Sequence, residues 1–339
     1  MTTEFADDMV RVDDPTPHER FFDRFVFNLH QVDSTVPSVL FGHGVYPGRN
    51  TADGFAIVVD DVVQTNLRWS TEFDATDGRS AGPFSFDVVE ENKVWRLRLA
   101  DNPTELTFDL EWTARAPYWA GSIDVENASN EKTSFDHLFQ SGHYTGSLSL
   151  RGRTWDVDGW YGQRDRSRGV RTMSGGQGLH QWIQIQFPDR SVGILLVESR
   201  TGERILLEGA VMHVDGRVDD VIDVKHALEL SDIDLRGGRL QVATASGVSY
   251  DIKIDASGHG SFMAGGGYGG HHGKPMGVDH VEHDTYPLDG SVSQRTLDSS
   301  LTDRLATFEW NGVAGIGVHE FALSRSSSYT YAPSLSVIG

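Results

Sequence analysis

The 339-residue chain contains no cysteine. That absence excludes disulfides, thiolate nucleophiles and Cys-ligated zinc or iron–sulfur centres. Basic residues are scarce, 29 against 49 acidic ones, for a net charge of −20. Such a field repels phosphate backbones and anionic lipid surfaces, so no nucleic-acid partner is expected. No run approaches the roughly 18 apolar residues of a membrane-spanning helix. The acidic stretch Met1 to Asp14 also lacks the basic and apolar regions of a secretory leader. The expectation is a cytoplasmic chain without a membrane span. A GxSxG nucleophile elbow and a P-loop are missing as well, and Gly265 to Gly270 lacks the strand-then-helix context of a dinucleotide fingerprint.

What is abundant is strand-like alternation. Windows at Gly54 to Val59, Val62 to Trp69, Val94 to Leu99, Leu106 to Trp112, His180 to Phe187, Val192 to Glu198, Leu240 to Thr244 and Val248 to Ile254 read as strands. In His180 to Phe187 one face carries Gln181, Ile183, Ile185 and Phe187, and the other His180, Trp182, Gln184 and Gln186. The second face reads either as a wet barrel lumen or as a solvent face. Asn311-Gly312 between Leu305–Trp310 and Val313–Phe321 predicts a two-residue type I′ hairpin, since both positions accept positive φ. Helical spacing occurs only at His18 to Leu29, through Phe21, Phe22, Phe25 and Leu29, where a strand over Arg24 to His30 competes.

Short strands avoid exposed edges by closing into barrels. The expected fold is mainly β, with few helices and two tandem barrel domains, residues 1–173 and 174–339. Gly258 to Gly277 holds nine glycines and reads as a lid or a disordered loop rather than a strand. The group His271, His272, His280 and His283, with Asp279, Glu282 and Asp284, lacks the i, i+4 histidine spacing of zinc hydrolases. A solvated loop is the plainer reading, and no metal is assigned.

The most informative stretch starts with Gln140, Gly142 and Gly146 and continues from Asp158-Gly159 through Arg164-Asp165-Arg166-Ser167-Arg168-Gly169 to Arg171. It resembles the signature of the lipocalin-like carotenoid 1,2-hydratase superfamily, which also includes kievitone hydratase and fungal decalin-forming cyclases. Phe41 to Pro47 and Gly315 to Phe321 extend the likeness over most of the chain. The resemblance implies paired lipocalin-like β domains and, typically without a cofactor, hydration or cyclisation of apolar unsaturated molecules. Arg166 and Arg168 stand where the pattern has histidine and tryptophan, and a guanidinium cannot replace a histidine as proton relay.

Hydration or cyclisation of an alkene needs a proton donor, a pocket that shields a cation, and a held water or internal nucleophile. Asp165 is the candidate acid, with Arg164 and Arg166 sent to the opposite face by strand alternation. The alternative for Asp165 is a structural Arg–Asp ion pair. His143 and Tyr161 complete the candidate catalytic set. Trp160 and Trp182 are candidate aromatic walls, with Tyr46 at a barrel mouth. Arg164, Arg166, Arg168, Gln140 and Glu320 are candidate substrate-binding groups, and only one of His319 and Glu320 can face a shared cavity. The functional expectation is a hydratase, dehydratase or cyclase acting on a terpenoid, steroid, polyketide or prenylated aromatic at the domain junction. The alternative is a non-catalytic carrier of a hydrophobic small molecule. The oligomeric state is left open.

Overall fold

The computed structural model describes residues 7–14, 18–33, 37–126, 132–171, 176–258 and 260–336. Eleven strands come first: β1 Phe21–Leu29, β2 Ser38–Tyr46, β3 Thr51–Asp60, β4 Val63–Glu72, β5 Ser80–Ala81, β6 Phe84–Glu90, β7 Val94–Leu99, β8 Leu106–Ala114, β9 Trp119–Glu126, β10 Lys132–Leu150 and β11 Arg153–Val170. Then follow β12 Gln177–Phe187, β13 Arg190–Ser199, β14 Arg204–His213, β15 Val218–Ser231, β16 Asp234–Thr244, β17 Ser249–Asp255, β18 Gly260–Phe262, β19 His280–Pro287, β20 Thr302–Trp310 and β21 Val313–Leu323. Among the described residues there is no α-helix, only three short 3₁₀ turns.

Two sheets result, and the fold is a pair of lipocalin-like β domains. The first, in order β19-β4-β3-β2-β1-β11-β10-β8-β7-β6-β5 with β9 on the other half of β10, is curled but open. The second, β17-β16-β15-β14-β13-β12-β21-β20, is closed into an eight-stranded barrel by the β17–β20 pairing, with β18 added on β20. Strand β19 comes from the second half of the chain yet pairs with β4 in the first sheet. The expected junction at residues 173–174 lies outside the described residues.

The predicted strand windows all fall on observed strands, and the Asn311-Gly312 turn has both φ angles positive, 49° and 77°. His18 to Leu29 is not a helix. Its residues from Phe21 form β1, which is buried on both faces: Phe25, Phe27 and Leu29 enter the first-domain core, while Phe22 and Val26 pack on the other side. Apolar residues of both parities imitate helical spacing when neither face of a strand meets water.

Rings fill the first domain. Phe27 stacks on Phe41 at 5.6 Å, and Trp95 and Trp112 pack against Phe27 at 5.6 and 5.7 Å. The second barrel is filled by aliphatic residues such as Leu179, Ile183, Ile194, Val242 and Ile252. A third buried cluster joins the sheets, with Phe22, Phe135 and Phe139 from one side and Trp182, Leu195 and Ile316 from the other. The face of β12 that carries Trp182 is therefore neither a lumen nor a solvent face. It is buried against the first domain, and Arg115 donates to Gln186 Oε1 across the junction at 2.6 Å.

Two signature glycines are explained by close approach and backbone angle. A Cβ on Gly162 would lie 1.8 Å from the Asn28 carbonyl oxygen. Gly169 has φ +148°, and its Cβ would meet the Ser134 carbonyl at 2.4 Å. Gly162→Ala is expected to destabilise the protein by about 1–3 kcal/mol or more, because the clash is with backbone and cannot relax by rotamer change. Urea unfolding checks this, and an unchanged midpoint would contradict it.

Candidate functional site

Strand β11 separates the Arg-Asp-Arg motif onto two faces, as alternation requires. Arg164 and Arg166 point into the first domain. The Arg164 guanidinium pairs with Asp7, donates to Gln140 Oε1 at 2.9 Å and lies 5.0 Å from the Trp95 ring. Arg166 grips Asp23 with two bonds of 3.0 and 2.9 Å and donates to the Asp8 carbonyl at 2.9 Å. Asp23 also accepts the Val10 N–H at 2.9 Å, so the two arginines fasten the segment 7–10 to the domain. The expected ion pairs exist, but their acids are Asp7 and Asp23.

Asp165 lies on the opposite face, in a cavity of about 70 Å³ between the domains. The lining includes Arg24, His137, Asp165, Arg171, His180, Trp182, Tyr268, Asp303 and Glu320, with Val26, Leu40, Leu195 and Met263 as the apolar part. Asp165 Oδ2 accepts the Trp182 indole N–H at 2.9 Å and lies 2.6 Å from His137 Nε2. The other imidazole nitrogen, Nδ1, is bonded to Glu208. Burial works against the charged imidazole, but the Asp165 and Glu208 carboxylates outweigh it and push His137 up to about 10. At neutral pH His137 is thus an imidazolium fixed between two carboxylates. It is a source of positive charge rather than a base.

A second pair faces the same space. Asp303 on β20 stands opposite Glu320 on β21, and Glu320 Oε1 bonds His180 Nε2 at 2.9 Å. Burial first, then the neighbouring Glu320 carboxylate, raise Asp303 well above the usual carboxylate range. Asp303 therefore holds its proton to higher pH than a free aspartic acid does. Its Oδ1 has no hydrogen-bond partner among the described residues.

The glycine-rich stretch forms one wall, not a loose loop. It contains strand β18 and a 3₁₀ turn at Met263–Gly266, and it brings Met263 and Tyr268 to the cavity. Tyr268 accepts a hydrogen bond from Arg24, whose guanidinium lies 4.8 Å from the Tyr268 ring. Burial raises Tyr268, so it stays a phenol.

Several sequence candidates lie elsewhere. His143 and Tyr161 are cross-strand partners on the junction face, but Tyr161 is four residues from Asp165, roughly 13 Å along a strand. The Arg115 guanidinium covers the Tyr161 ring at 4.4 Å. Burial, then Arg115, lower His143. Trp160 is in the first-domain core. Gln140 is spent on Arg164 and on the Asn92 and Ala116 carbonyls. Arg168 and Tyr46 are not among the lining residues, and Tyr46 packs under Gly273. Of His319 and Glu320, only Glu320 faces the cavity; His319 bonds Gln181 inside the second barrel, where burial lowers it to about 3.

Of the histidine-rich group, His280 and Glu282 lie on β19, where Glu282 and Asp284 pair with Arg68. Among the described residues no cluster of three or more His, Asp or Glu side chains is arranged to hold a metal ion. The cavity contributors that the sequence reading missed are His137, Glu208, Asp303, Arg24 and Tyr268. Only Asp303 had a usable signal: counting the register back from the Asn311-Gly312 turn places it opposite Glu320.

A family model of unknown function, DUF8625, matches residues 9–328. The chain belongs to this family. No functionally curated protein matches the DUF8625 chain in sequence. Solved structures do match it in fold. A protein of Nitrosomonas europaea, described as an AttH candidate, superposes with TM-score 0.59 at 11% identity over 91% of this chain and 94% of its own. CghA with Sch210972 gives TM-score 0.52 at 11% identity, covering 90% and 89%. Kievitone hydratase from Nectria haematococca gives 0.49 at 12% identity over 91% of each chain. The DUF8625 chain thus shares its fold with the Nitrosomonas europaea protein and with CghA. No helix among the described residues is long and apolar enough to cross a membrane.

Proposed function

We propose that the interdomain cavity carries out acid–base proton transfer, making the protein a hydratase, dehydratase or cyclase of an unsaturated small molecule. The observation that carries this reading is two carboxyls lining one cavity in different surroundings: Asp303, which holds its proton more firmly than usual, and Asp165, bonded to His137 and Trp182. Two carboxyls in unlike surroundings are the usual basis for dividing the roles of acid and base. The acid role passes from Asp165 to Asp303.

In the hydration direction the Asp303 proton goes to one alkene carbon. A water oxygen bonds to the other carbon and gives a proton to the Asp165 carboxylate; solvent exchange then restores both carboxyls. His137 holds Asp165 in position, and Trp182, besides its bond to Asp165, offers a ring face to developing positive charge. Val26, Leu40, Leu195 and Met263 take hydrocarbon of a terpenoid, steroid, polyketide or prenylated-aromatic substrate. The volume is far below the ~300–1,000 Å³ of drug-sized pockets, so only the reacting part of such a molecule is enclosed.

The test is incubation in D₂O with a panel of these classes, read by mass spectrometry for one carbon-bound deuterium in the product. Asp165→Asn is expected to lower the rate roughly 10²–10⁴-fold. Activity within a few-fold of wild type in that variant would remove Asp165 from the mechanism. Ligands that bind yet return unchanged and undeuterated would point to carriage instead.

A further inference from the structure

The arginines of the cavity differ from those of the signature motif in what balances their charge. Arg164 and Arg166 each hold an aspartate inside the first domain. Arg24 and Arg171 line the cavity, and among the described residues neither has a carboxylate within ion-pair distance. Arg24 is partly buried; it donates to the Tyr268 hydroxyl and also interacts with Tyr46 and, at longer range, with Asp53. Arg171 sits at the exposed side, its guanidinium 4.3 Å from the Phe135 ring and 5.4 Å from that of Phe22. Arg24 repels Arg171, and the Asp165 and Glu208 carboxylates, both beyond ion-pair distance, offset part of that repulsion. Neighbouring like charges beside an apolar wall are further stabilised by an anion placed between them.

We propose that the substrate of this cavity carries a carboxylate, held between the Arg24 and Arg171 guanidinium groups. This rests on the reading of the cavity as the reaction site and narrows its substrate to an unsaturated or hydroxylated acid. A planar guanidinium presents paired N–H donors that match the two carboxylate oxygens. Because Tyr268 accepts from Arg24, its own O–H is left to donate to the same anion. Beside the Asp165 and Glu320 carboxylates of the lining, a monoanion adds less repulsion than a phosphate dianion would. Substrate binding is thus assigned not to Arg164, Arg166 and Arg168, the arginines the motif put forward, but to two arginines outside its Arg-Asp-Arg core.

Isothermal titration with (E)-2-butenoate and its uncharged counterpart (E)-2-butenamide tests the assignment. Wild type is expected to bind butenoate roughly tenfold or more tightly than the amide, as suits charge-assisted hydrogen bonds. Arg171→Met, at the exposed side and with an apolar stem that can keep packing on Phe22 and Phe135, is expected to remove most of that preference with little effect on amide binding. Arg24→Lys is expected to weaken butenoate binding as well, by replacing the fork with a point charge. Equal binding of acid and amide, no binding of either at millimolar concentration, or an acid preference that survives both substitutions would overturn the proposal. Asp303→Asn separates this from the catalytic reading: it is expected to keep the acid preference while losing turnover. Failure of deuterium incorporation with the preference intact would reject the chemistry and keep the anion site.

Discussion

Asp303→Asn is expected to abolish most turnover, by roughly 10²–10⁴-fold, and at the same time to stabilise the fold near neutral pH. The first effect follows from removing the proton that the cavity would deliver. The second follows from linkage. Asp303 is raised above its ordinary value of 3.8 in the folded protein, by burial and by Glu320. Between that ordinary value and its raised folded value the unfolded chain ionises this group while the folded state keeps it protonated, so stability declines with rising pH across that interval. Asparagine matches the neutral acid in shape and does not titrate. The melting temperature of the variant should therefore exceed that of wild type at pH 7, and the gap should close as the pH falls through about 4. A variant that is inactive but less stable at pH 7 would mean that Asp303 is ionised in the native state, against the assignment of the acid.

His137→Gln should act in the opposite sense and destabilise the protein by about 3–5 kcal/mol, the usual cost of leaving buried charge without its partner. In wild type the imidazolium separates Asp165 from Glu208, all three being buried. Without it two carboxylates face one another across the domain junction. The pH signature is specific. His137 is raised from 6.5 to about 10, so its contribution is complete below about pH 6.5 and is lost as the pH rises through about 10. Urea unfolding at pH 6 and pH 10 should show wild type losing stability over that interval, and His137→Gln losing much less. Equal alkaline losses in the two proteins would show that His137 is not charged between the domains.

Much of the local structure was legible in the residues themselves. Alternation alone sent Arg164 and Arg166 away from Asp165, and the Asn311-Gly312 turn set the β20/β21 register that pairs Asp303 with Glu320. The β10/β11 hairpin was harder to read. A bulge between Tyr144 and Thr145 shifts its register by one residue, so counting back from the turn does not bring His137 to Ser167. The Trp182 face of β12 was misread because a mixed polar and aromatic face suits a lumen, a solvent side or an interface equally well.

The sequence by itself determined which residues share a strand face, which turn closes the last hairpin, and that cysteine chemistry is excluded. Tertiary structure alone decided what each face meets. Strands β1 and β12 and the later part of β11 are buried on both sides, so polarity could not separate inside from outside. The bonds that assemble the cavity also join positions far apart in the chain. His137 reaches Glu208 across 71 residues and Arg24 reaches Tyr268 across 244, and such contacts are set by how the two sheets pack rather than by any local spacing.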